Sequence, residues 1–162
     1  MSEKLNCSAL GKRERYEELL PQLAALLAGE TDPTANMANL SAALRESFGW
    51  LWVGFYFVRG EELVLGPFQG PIACARIPKG RGVCGAAWAE ARTIVVPDVE
   101  LFDGHIACSS LSRSEIVVPL SHEGEIWAVL DIDSDKVAAF DAVDAHFLEL
   151  VAALLRPSFT PK

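Results

Sequence analysis

The sequence has 162 residues, of which 51% are apolar, so it is long enough to bury a core and needs no disulfide to fold. Its formal net charge is −8 and it has no run of Lys and Arg, which disfavours nucleic acids and anionic membranes as partners. The N-terminus lacks the segments of a secretory signal, and the longest apolar run, Trp50–Val58, is too short to span a bilayer. We expect a single domain over residues 1–162, with residues 1–15 as a candidate flexible segment.

The cysteines indicate a reducing compartment. Without an export signal, we expect thiols that serve chemistry, metal binding or packing rather than structural bridges, and hence a cytoplasmic protein. For Cys7, packing or a frayed terminus is a sufficient explanation. The remaining cysteines are Cys74, Cys84 and Cys108.

The first third of the chain predicts two helices and a strand. Residues 12–28 have apolar side chains at helical spacing, although Pro21 is expected to kink or divide that helix. Asp32 and Pro33 are typical of a helix start, and Gly49 of a helix end. The run Trp50–Val58 is apolar on both faces, which predicts a central strand.

The remaining elements alternate between short strands and loops. We predict a turn at residues 59–61 that leads into a strand at 63–65, and a loop over residues 67–82. A helix over 83–91 is expected to precede a strand at 93–96. A second long loop covers 97–113. Strands at 115–120 and 125–133 are joined by a hairpin turn at Glu123 and Gly124, and a helix over 140–155 closes the chain. This order predicts an α+β fold with an antiparallel β-sheet flanked by helices.

The two long loops carry the candidate reactive residues. Cys108 has polar neighbours, and a cation such as Arg113 nearby would lower the pKa of its thiol. Cys84 is predicted at a helix N-terminus, which also favours a thiolate. A zinc site is the alternative for these residues, but His105 with Cys108 is the only pair at close spacing.

Acidic and aromatic side chains complete a candidate pocket. Strand periodicity places Asp131 and Asp133 on the same face, where shared burial would raise the pKa of at least one of them, although a strand emerging into solvent is an equal alternative. Trp52 and Tyr56 share one face of the central strand, with Gly54 leaving room between them. An aromatic floor beside acids suits a small cationic or zwitterionic ligand, although such aromatics are more often core.

Several motifs in a fixed order resemble the free methionine-(R)-sulfoxide reductases. The likeness covers nearly the whole chain beyond the first fifteen residues or so. The motifs are Trp52–Tyr56, Leu65–Gly70, Ala73–Cys74, Arg76–Pro78, Gly80–Gly85, Gly104–Cys108, Ser112–Pro119 and Leu130–Ser134.

The resemblance implies a GAF fold, a homodimer and a redox mechanism. Cys108 would be the catalytic cysteine and Cys74 the resolving one, with Cys84 as a further redox partner. A thiolate would attack the sulfoxide sulfur while an acid, Asp133 or Glu115, protonates its oxygen. A thioredoxin-type dithiol would then reduce the resulting disulfide, and no metal or organic cofactor is required.

The same resemblance implies the substrate contacts. Glu115, Asp131 and Asp133 would hold the amine and the sulfoxide oxygen, and Trp52 and Tyr56 would surround the S-methyl group. Selectivity for the R epimer rests on the resemblance alone. The alternative from another class is a non-catalytic GAF module that senses a small ligand or a redox change.

Strand register raises one difficulty for this site. If Glu123 and Gly124 form a regular two-residue turn, Glu115 pairs with Ile132 and faces away from Asp131. A bulge or an odd-length loop is therefore predicted between these two strands.

Overall fold

The computed structural model describes residues 11–157, so Cys7 lies outside the described residues. Within that range, four α-helices and six β-strands form an α+β fold. The helices are α1 (Lys12–Leu27), α2 (Pro33–Phe48), α3 (Gly82–Glu90) and α4 (Ala142–Ala152). The strands are β1 (Trp52–Arg59), β2 (Glu62–Gln69), β3 (Arg76–Pro78), β4 (Ile94–Val96), β5 (Ser114–His122) and β6 (Glu125–Ser134).

The strands form one antiparallel sheet in the order β3-β2-β1-β6-β5-β4. The predicted central strand is confirmed, because β1 lies between β2 and β6 and its first five residues are buried. The sheet is covered on both sides, which explains why this segment is apolar on both faces. Both edge strands are short, which limits the unpaired backbone that the sheet exposes.

Each face of the sheet has its own apolar core. Helices α1, α2 and α4 pack on one face around side chains such as Phe55, Leu130 and Ile132, all fully buried. On the opposite face, α3 and the two long loops cover Tyr56 and Val129. The sheet is therefore the middle layer of a sandwich, and the candidate site residues lie in the α3 layer.

Helix α1 is continuous, so Pro21 does not divide it as one alternative predicted. Proline removes a backbone hydrogen bond inside a helix. Leu19 and Leu23 on either side are fully buried in the core, and this packing offsets the lost bond.

The predicted start of α2 is confirmed, since the Asp32 carboxylate accepts hydrogen bonds from the amides of Thr34 and Ala35. Helix α1 begins at Lys12, so residues 12–15 of the candidate flexible segment are helical.

The last helix is shorter than predicted. It spans Ala142–Ala152, because the Asp141 side chain caps its N-terminus in a capping box. Phe147 and Val151 are buried in the core, whereas Leu150 is exposed.

The first long loop is partly a strand, which the sequence analysis missed. Strand β2 continues to Gln69, and residues 76–78 form the edge strand β3. Pro67 lies where the pairing of β1 with β2 is irregular: Gly54 pairs with Phe68, but Tyr56 pairs with Leu65. Prolines within sheets occur at such irregularities, because the ladder needs no backbone hydrogen bond there. The second long loop contains one 3₁₀ turn at Val99–Leu101.

The predicted bulge between β5 and β6 is confirmed. Ser121 pairs with Ile126 but Leu120 pairs with Ala128, so Trp127 has no residue opposite it. This single extra residue shifts the register of everything beyond it. Glu115 therefore pairs with Asp133 rather than Ile132, on the same face of the sheet as Asp131.

Between residues 11 and 157, no helix combines the length and the apolar character that a membrane span requires.

Candidate active site

A pocket opens on the α3 side of the sheet. Its floor is formed by β1, β5 and β6, and its walls are the N-terminal end of α3 and the two long loops. With the loops in their observed positions, its interior volume is about 50 Å³, enough for only a few water molecules. All eight site residues predicted from the sequence, except Cys74, line it: Trp52, Tyr56, Cys84, Cys108, Glu115, Asp131 and Asp133.

Three carboxyl groups converge on the floor. Glu115 and Asp133 pair across β5 and β6, and Asp131 lies two residues before Asp133 on the same strand face. Glu115 and Asp131 are only 5% and 6% exposed. The strand therefore does not simply emerge into solvent at these acids, which was the alternative expectation. In the described range no lysine or arginine lies within ion-pair distance of them, and the nearby His105 is charged only when protonated, so their repulsion is largely uncompensated.

Burial and mutual repulsion keep these acids protonated at unusually high pH. Burial, followed by the charge of Asp133, raises the pKa of Glu115 to about 8. Burial raises the pKa of Asp131 well above its ordinary value, and the nearby Glu115 raises it further. The pKa of Asp133 is raised by burial and by Asp131, while a hydrogen bond of 2.7 Å from the Ser112 hydroxyl works in the opposite direction. At neutral pH the cluster therefore holds protons that it can donate.

Asp131 has unused hydrogen-bonding capacity. Its Oδ1 atom is buried and has no hydrogen-bond partner among the described residues. A buried carboxylate oxygen without a partner is costly and is rare in native proteins. This oxygen is therefore available to accept a hydrogen bond from a bound molecule.

Cys84 differs from its prediction. It lies in the first turn of α3 as expected, but it is fully buried, with its Sγ 3.9 Å from Glu115 Oε1. Burial and the negative charges of Asp131 and Glu115 raise the pKa of its thiol well above the ordinary value. The expectation that the helix N-terminus favours a thiolate here is wrong, because burial beside carboxylates outweighs the helix dipole.

A disulfide joins Cys74 and Cys108, whose Cα atoms are 5.4 Å apart. The bond links the two long loops, and Cys108 lines the pocket. Both cysteines are half-buried, so the disulfide remains partly accessible to solvent. Cys84 is the free cysteine among the described residues.

The aromatic floor also anchors the first loop, a role that the sequence did not reveal. The rings of Trp52 and Tyr56 stack with centroids 6.0 Å apart. The Trp52 indole donates a hydrogen bond of 3.1 Å to the Pro71 carbonyl, and the Tyr56 hydroxyl donates one of 3.0 Å to the Cys74 carbonyl. These bonds position the loop that carries Cys74.

The space above Gly54 is not available to a ligand, contrary to expectation. A Cβ atom at this position would collide with the side chains of Phe68 and Trp52. Glycine here instead allows the Trp52 ring to stack on Phe68, with centroids 5.2 Å apart.

His105 and Ser112 are pocket residues to which the sequence analysis gave no part in catalysis. His105 Nε2 lies 3.7 Å from Glu115 Oε2, and partial burial lowers the pKa of this histidine. Ser112 fixes Asp133 through the hydrogen bond described above. His105 and Ser112 lie close to the carboxyl groups because of the register of β5 and the path of the second long loop. Residue spacing in the sequence reveals neither.

The possible metal ligands differ from the pair considered in the sequence. Cys108 is bonded to Cys74, so it does not act with His105 in this state. Among the described residues, the group that could hold a metal is Cys84, Glu115 and Asp131, whose ligand atoms lie within 4.8 Å of one another.

Comparison with known proteins gives a consistent set of relatives. The GAF domain family profile matches residues 30–156. The chain is 48% identical to the free methionine-R-sulfoxide reductase of Escherichia coli (strain K12), covering 90% of this chain and 89% of that protein. It is 59% identical to GAF domain-containing protein A of Dictyostelium discoideum, covering 96% of this chain and 99% of that protein.

A solved structure has the same architecture. The X-ray structure of free methionine-R-sulfoxide reductase from Neisseria meningitidis in complex with its substrate superposes with a TM-score of 0.92 and 56% identity. The match covers 93% of this chain and 92% of that chain.

Proposed function

This chain belongs to the GAF-domain family of free methionine-R-sulfoxide reductases, and from that premise we propose that it reduces free L-methionine (R)-S-oxide by thiolate attack of Cys108. The observation that carries the proposal is the convergence of Cys108, which is bonded to Cys74, with three carboxyl groups on one pocket. Two of these groups, Glu115 and Asp131, are buried. A thiol and an acid facing one cavity are the two groups that sulfoxide reduction needs.

The acid side of the reaction is supported by the raised pKa values. A sulfoxide sulfur becomes electrophilic when its oxygen is hydrogen-bonded or protonated. Glu115 and Asp133 are the candidates, because both are neutral at a pH at which an exposed carboxyl group would be ionised. The Cys108 thiolate attacks sulfur while the acid delivers a proton to oxygen. Methionine leaves, and Cys108 remains as the sulfenic acid.

Cys74 resolves this intermediate. Its thiol attacks the Cys108 sulfenic acid, forming the disulfide and releasing water. A thioredoxin-type dithiol then reduces this disulfide by thiol–disulfide exchange. The dithiol is itself oxidised to a disulfide, and both thiols of the protein are restored. Cys84 is a poorer first partner, because its thiol is buried and holds its proton tightly. No step calls for a metal or an organic cofactor.

The pocket favours the free amino acid. Asp131 and its neighbouring carboxyl groups offer oxygens to an α-ammonium, which disappears once methionine is part of a chain. Trp52 and Tyr56 provide an apolar surface for the S-methyl group. Because the pocket is too small for methionine sulfoxide while the disulfide is in place, the loops must separate after reduction.

Three further properties complete the proposal. The chain acts as a single GAF domain, assembles as a homodimer and works in the cytoplasm, where a thioredoxin-type reductant is available.

The test is turnover with defined substrates. Purified protein with free methionine (R)-sulfoxide and either dithiothreitol or thioredoxin should release methionine, and Cys108→Ser should abolish this release. Cys7→Ser is the matched control and should keep wild-type turnover. The same sulfoxide with its amine acetylated and its carboxyl amidated should be a poor substrate, because the ammonium contact is lost.

Cys74→Ser separates attack from resolution. It should release about one equivalent of methionine per enzyme and then stop with thioredoxin as reductant. Peptide mass mapping after one oxidising turnover of the wild type should find Cys74 bonded to Cys108. Full activity of Cys108→Ser would refute the mechanism, and binding without turnover would indicate a sensor module instead.

A further inference from the structure

We propose that Cys84, Glu115 and Asp131 form a binding site for a thiophilic divalent cation, best matched by Zn²⁺, which reversibly blocks the pocket. The inhibitory part of this proposal rests on the proposed function, whereas the binding site itself does not. The site lies deeper than the Cys74–Cys108 disulfide and is present while that bond is intact.

The geometry is close to that of a zinc site. The Cys84 Sγ and one carboxylate oxygen from each of Glu115 and Asp131 lie within 4.8 Å of one another, and the Sγ to Glu115 Oε1 distance is 3.9 Å. Neighbouring ligand atoms in a tetrahedral zinc site are about 3.5 Å apart, so small side-chain rotations close the triad around an ion. The fourth position faces the pocket, where a water molecule has room.

Asp131 gives an independent indication of a ligand. It is 6% exposed, and its buried Oδ1 accepts no hydrogen bond from any described residue. A cation bound in the triad would supply the missing partner. It would also neutralise the repulsion that arises when Asp131 and Glu115 are both ionised, which no lysine or arginine offsets at ion-pair distance in residues 11–157.

The ligand set selects the kind of ion. A bound ion displaces the protons of the Cys84 thiol and of the two carboxyl groups, which leaves a thiolate with two carboxylates as ligands. This set suits a borderline cation such as Zn²⁺, whereas Mg²⁺ and Ca²⁺ prefer oxygen ligands at six or more positions. Glu115 and Asp131 are also proposed to hold the substrate. The ion and methionine sulfoxide therefore compete for the same oxygens.

Cobalt(II) provides a spectroscopic test of the site. The Cys7→Ser protein is used in its disulfide form, so that Cys84 is the one thiol left in the chain. Adding Co²⁺ should produce a thiolate-to-cobalt charge-transfer band, and equimolar Zn²⁺ should remove it. Cys84→Ser in the same background should lack the band. Absence of the band at saturating Co²⁺, or its survival in Cys84→Ser, would overturn the proposal.

Two aspartates on one strand face provide a matched pair for assigning the ligands. Asp131→Asn should weaken Co²⁺ binding at least tenfold, a typical cost even for losing an outer-shell partner of a metal site. Asp133→Asn should bind Co²⁺ within about twofold of its parent, because Asp133 is not in the triad and is engaged by Ser112. Equal losses in both variants would refute the assigned ligands.

Inhibition is measured on the reduced enzyme with a phosphine reductant. Zn²⁺ should raise the KM for methionine sulfoxide without changing kcat. Mg²⁺ should change neither KM nor kcat. Cys84→Ser should lose most of this sensitivity relative to its own zinc-free rate. A cobalt band in an inactive enzyme would refute only the proposed reductase, whereas turnover without a cobalt band would refute only the metal site.

Discussion

Glu115 shows how a single pairing register determines the chemistry of one side chain. Glu115 pairs with Asp133 and lies on the same face of the sheet as Asp131. Burial and the charge of Asp133 raise the pKa of Glu115 to about 8. On the other face of β5 it would point into the apolar core under α1, α2 and α4. A carboxyl group that keeps its proton near neutral pH can donate it to a sulfoxide oxygen, which an ordinary surface glutamate cannot do.

We therefore expect kcat/KM for methionine sulfoxide to fall as the pH rises through about 8. Because the pKa of Glu115 is raised, the donating form is present below that value and is lost above it. Glu115→Gln should remove this descending limb and lower kcat/KM by about 10²–10⁴-fold, the usual cost of losing a general acid. The measurement is a pH profile of methionine release under saturating reductant.

Glu115→Asp is the control for this profile, because it retains a carboxyl group and should retain a descending limb. A limb that is unchanged in Glu115→Gln would show that a different group, such as Asp133, donates the proton.

At the scale of elements, the β5–β6 hairpin shows what the sequence could and could not reveal. The turn at Glu123 and Gly124 is evident from residue type, and both residues adopt the positive φ values that such a turn requires. The need for a bulge followed from parity alone. The location of the bulge at Trp127 could not be predicted in this way. One extra residue on either strand, anywhere between the turn and Glu115, would move Glu115 to the same face of the sheet.

Cys84 and Gly54 show a second limit of the sequence. Local rules placed Cys84 at a helix N-terminus and placed Gly54 between two aromatic residues, and both placements are correct. The chemical conclusions were wrong because they depended on neighbours distant in sequence: Glu115 beside Cys84, and Phe68 beside Gly54. Local pattern predicts elements, whereas tertiary contacts determine charge state and free space.

The contact between α1 and α4 depends on one buried carboxylate. Asp144 is fully buried and accepts hydrogen bonds from the Tyr16 hydroxyl at 2.7 Å and from Lys12 Nζ at 2.5 Å. It also accepts from the backbone amide of Asp141, which completes the capping box of α4. Asp144 therefore joins the first and last helices of the fold.

We predict that Asp144→Ala lowers the free energy of unfolding by about 3–5 kcal/mol, because the buried Tyr16 hydroxyl and Lys12 lose their shared partner. Tyr16→Phe should cost less, about 1–2 kcal/mol, since Lys12 still pairs with Asp144. Urea unfolding at neutral pH measures both values. The exposed Asp135→Ala should change the free energy little. A loss for Asp144→Ala no larger than that for Asp135→Ala would show that this network does not contribute to stability.

At the scale of the whole molecule, the fold class and the order of elements were predictable, because apolar periodicity and turn residues are repeated along the entire chain. The position of the site between the sheet and the α3 layer was not predictable. It follows from the combination of the antiparallel strand order with the bulge at Trp127, which together bring β1, β5 and β6 under the loops that carry Cys74 and Cys108.

The redox state should change global stability, because the disulfide closes the segment between its two cysteines into a loop. Cys74 and Cys108 are 34 residues apart, and the segment between them contains β3, α3 and β4. In the chain-entropy account, closing a loop of this length stabilises the folded state by up to about 4 kcal/mol, since the unfolded chain loses conformational freedom. Oxidised wild-type protein should therefore unfold at higher urea concentration than reduced protein, while Cys74→Ser should show the same midpoint under both conditions. Equal midpoints for the two wild-type forms would mean that strain in the oxidised loops cancels this gain. A shift retained in Cys74→Ser would instead point to oxidation at another cysteine.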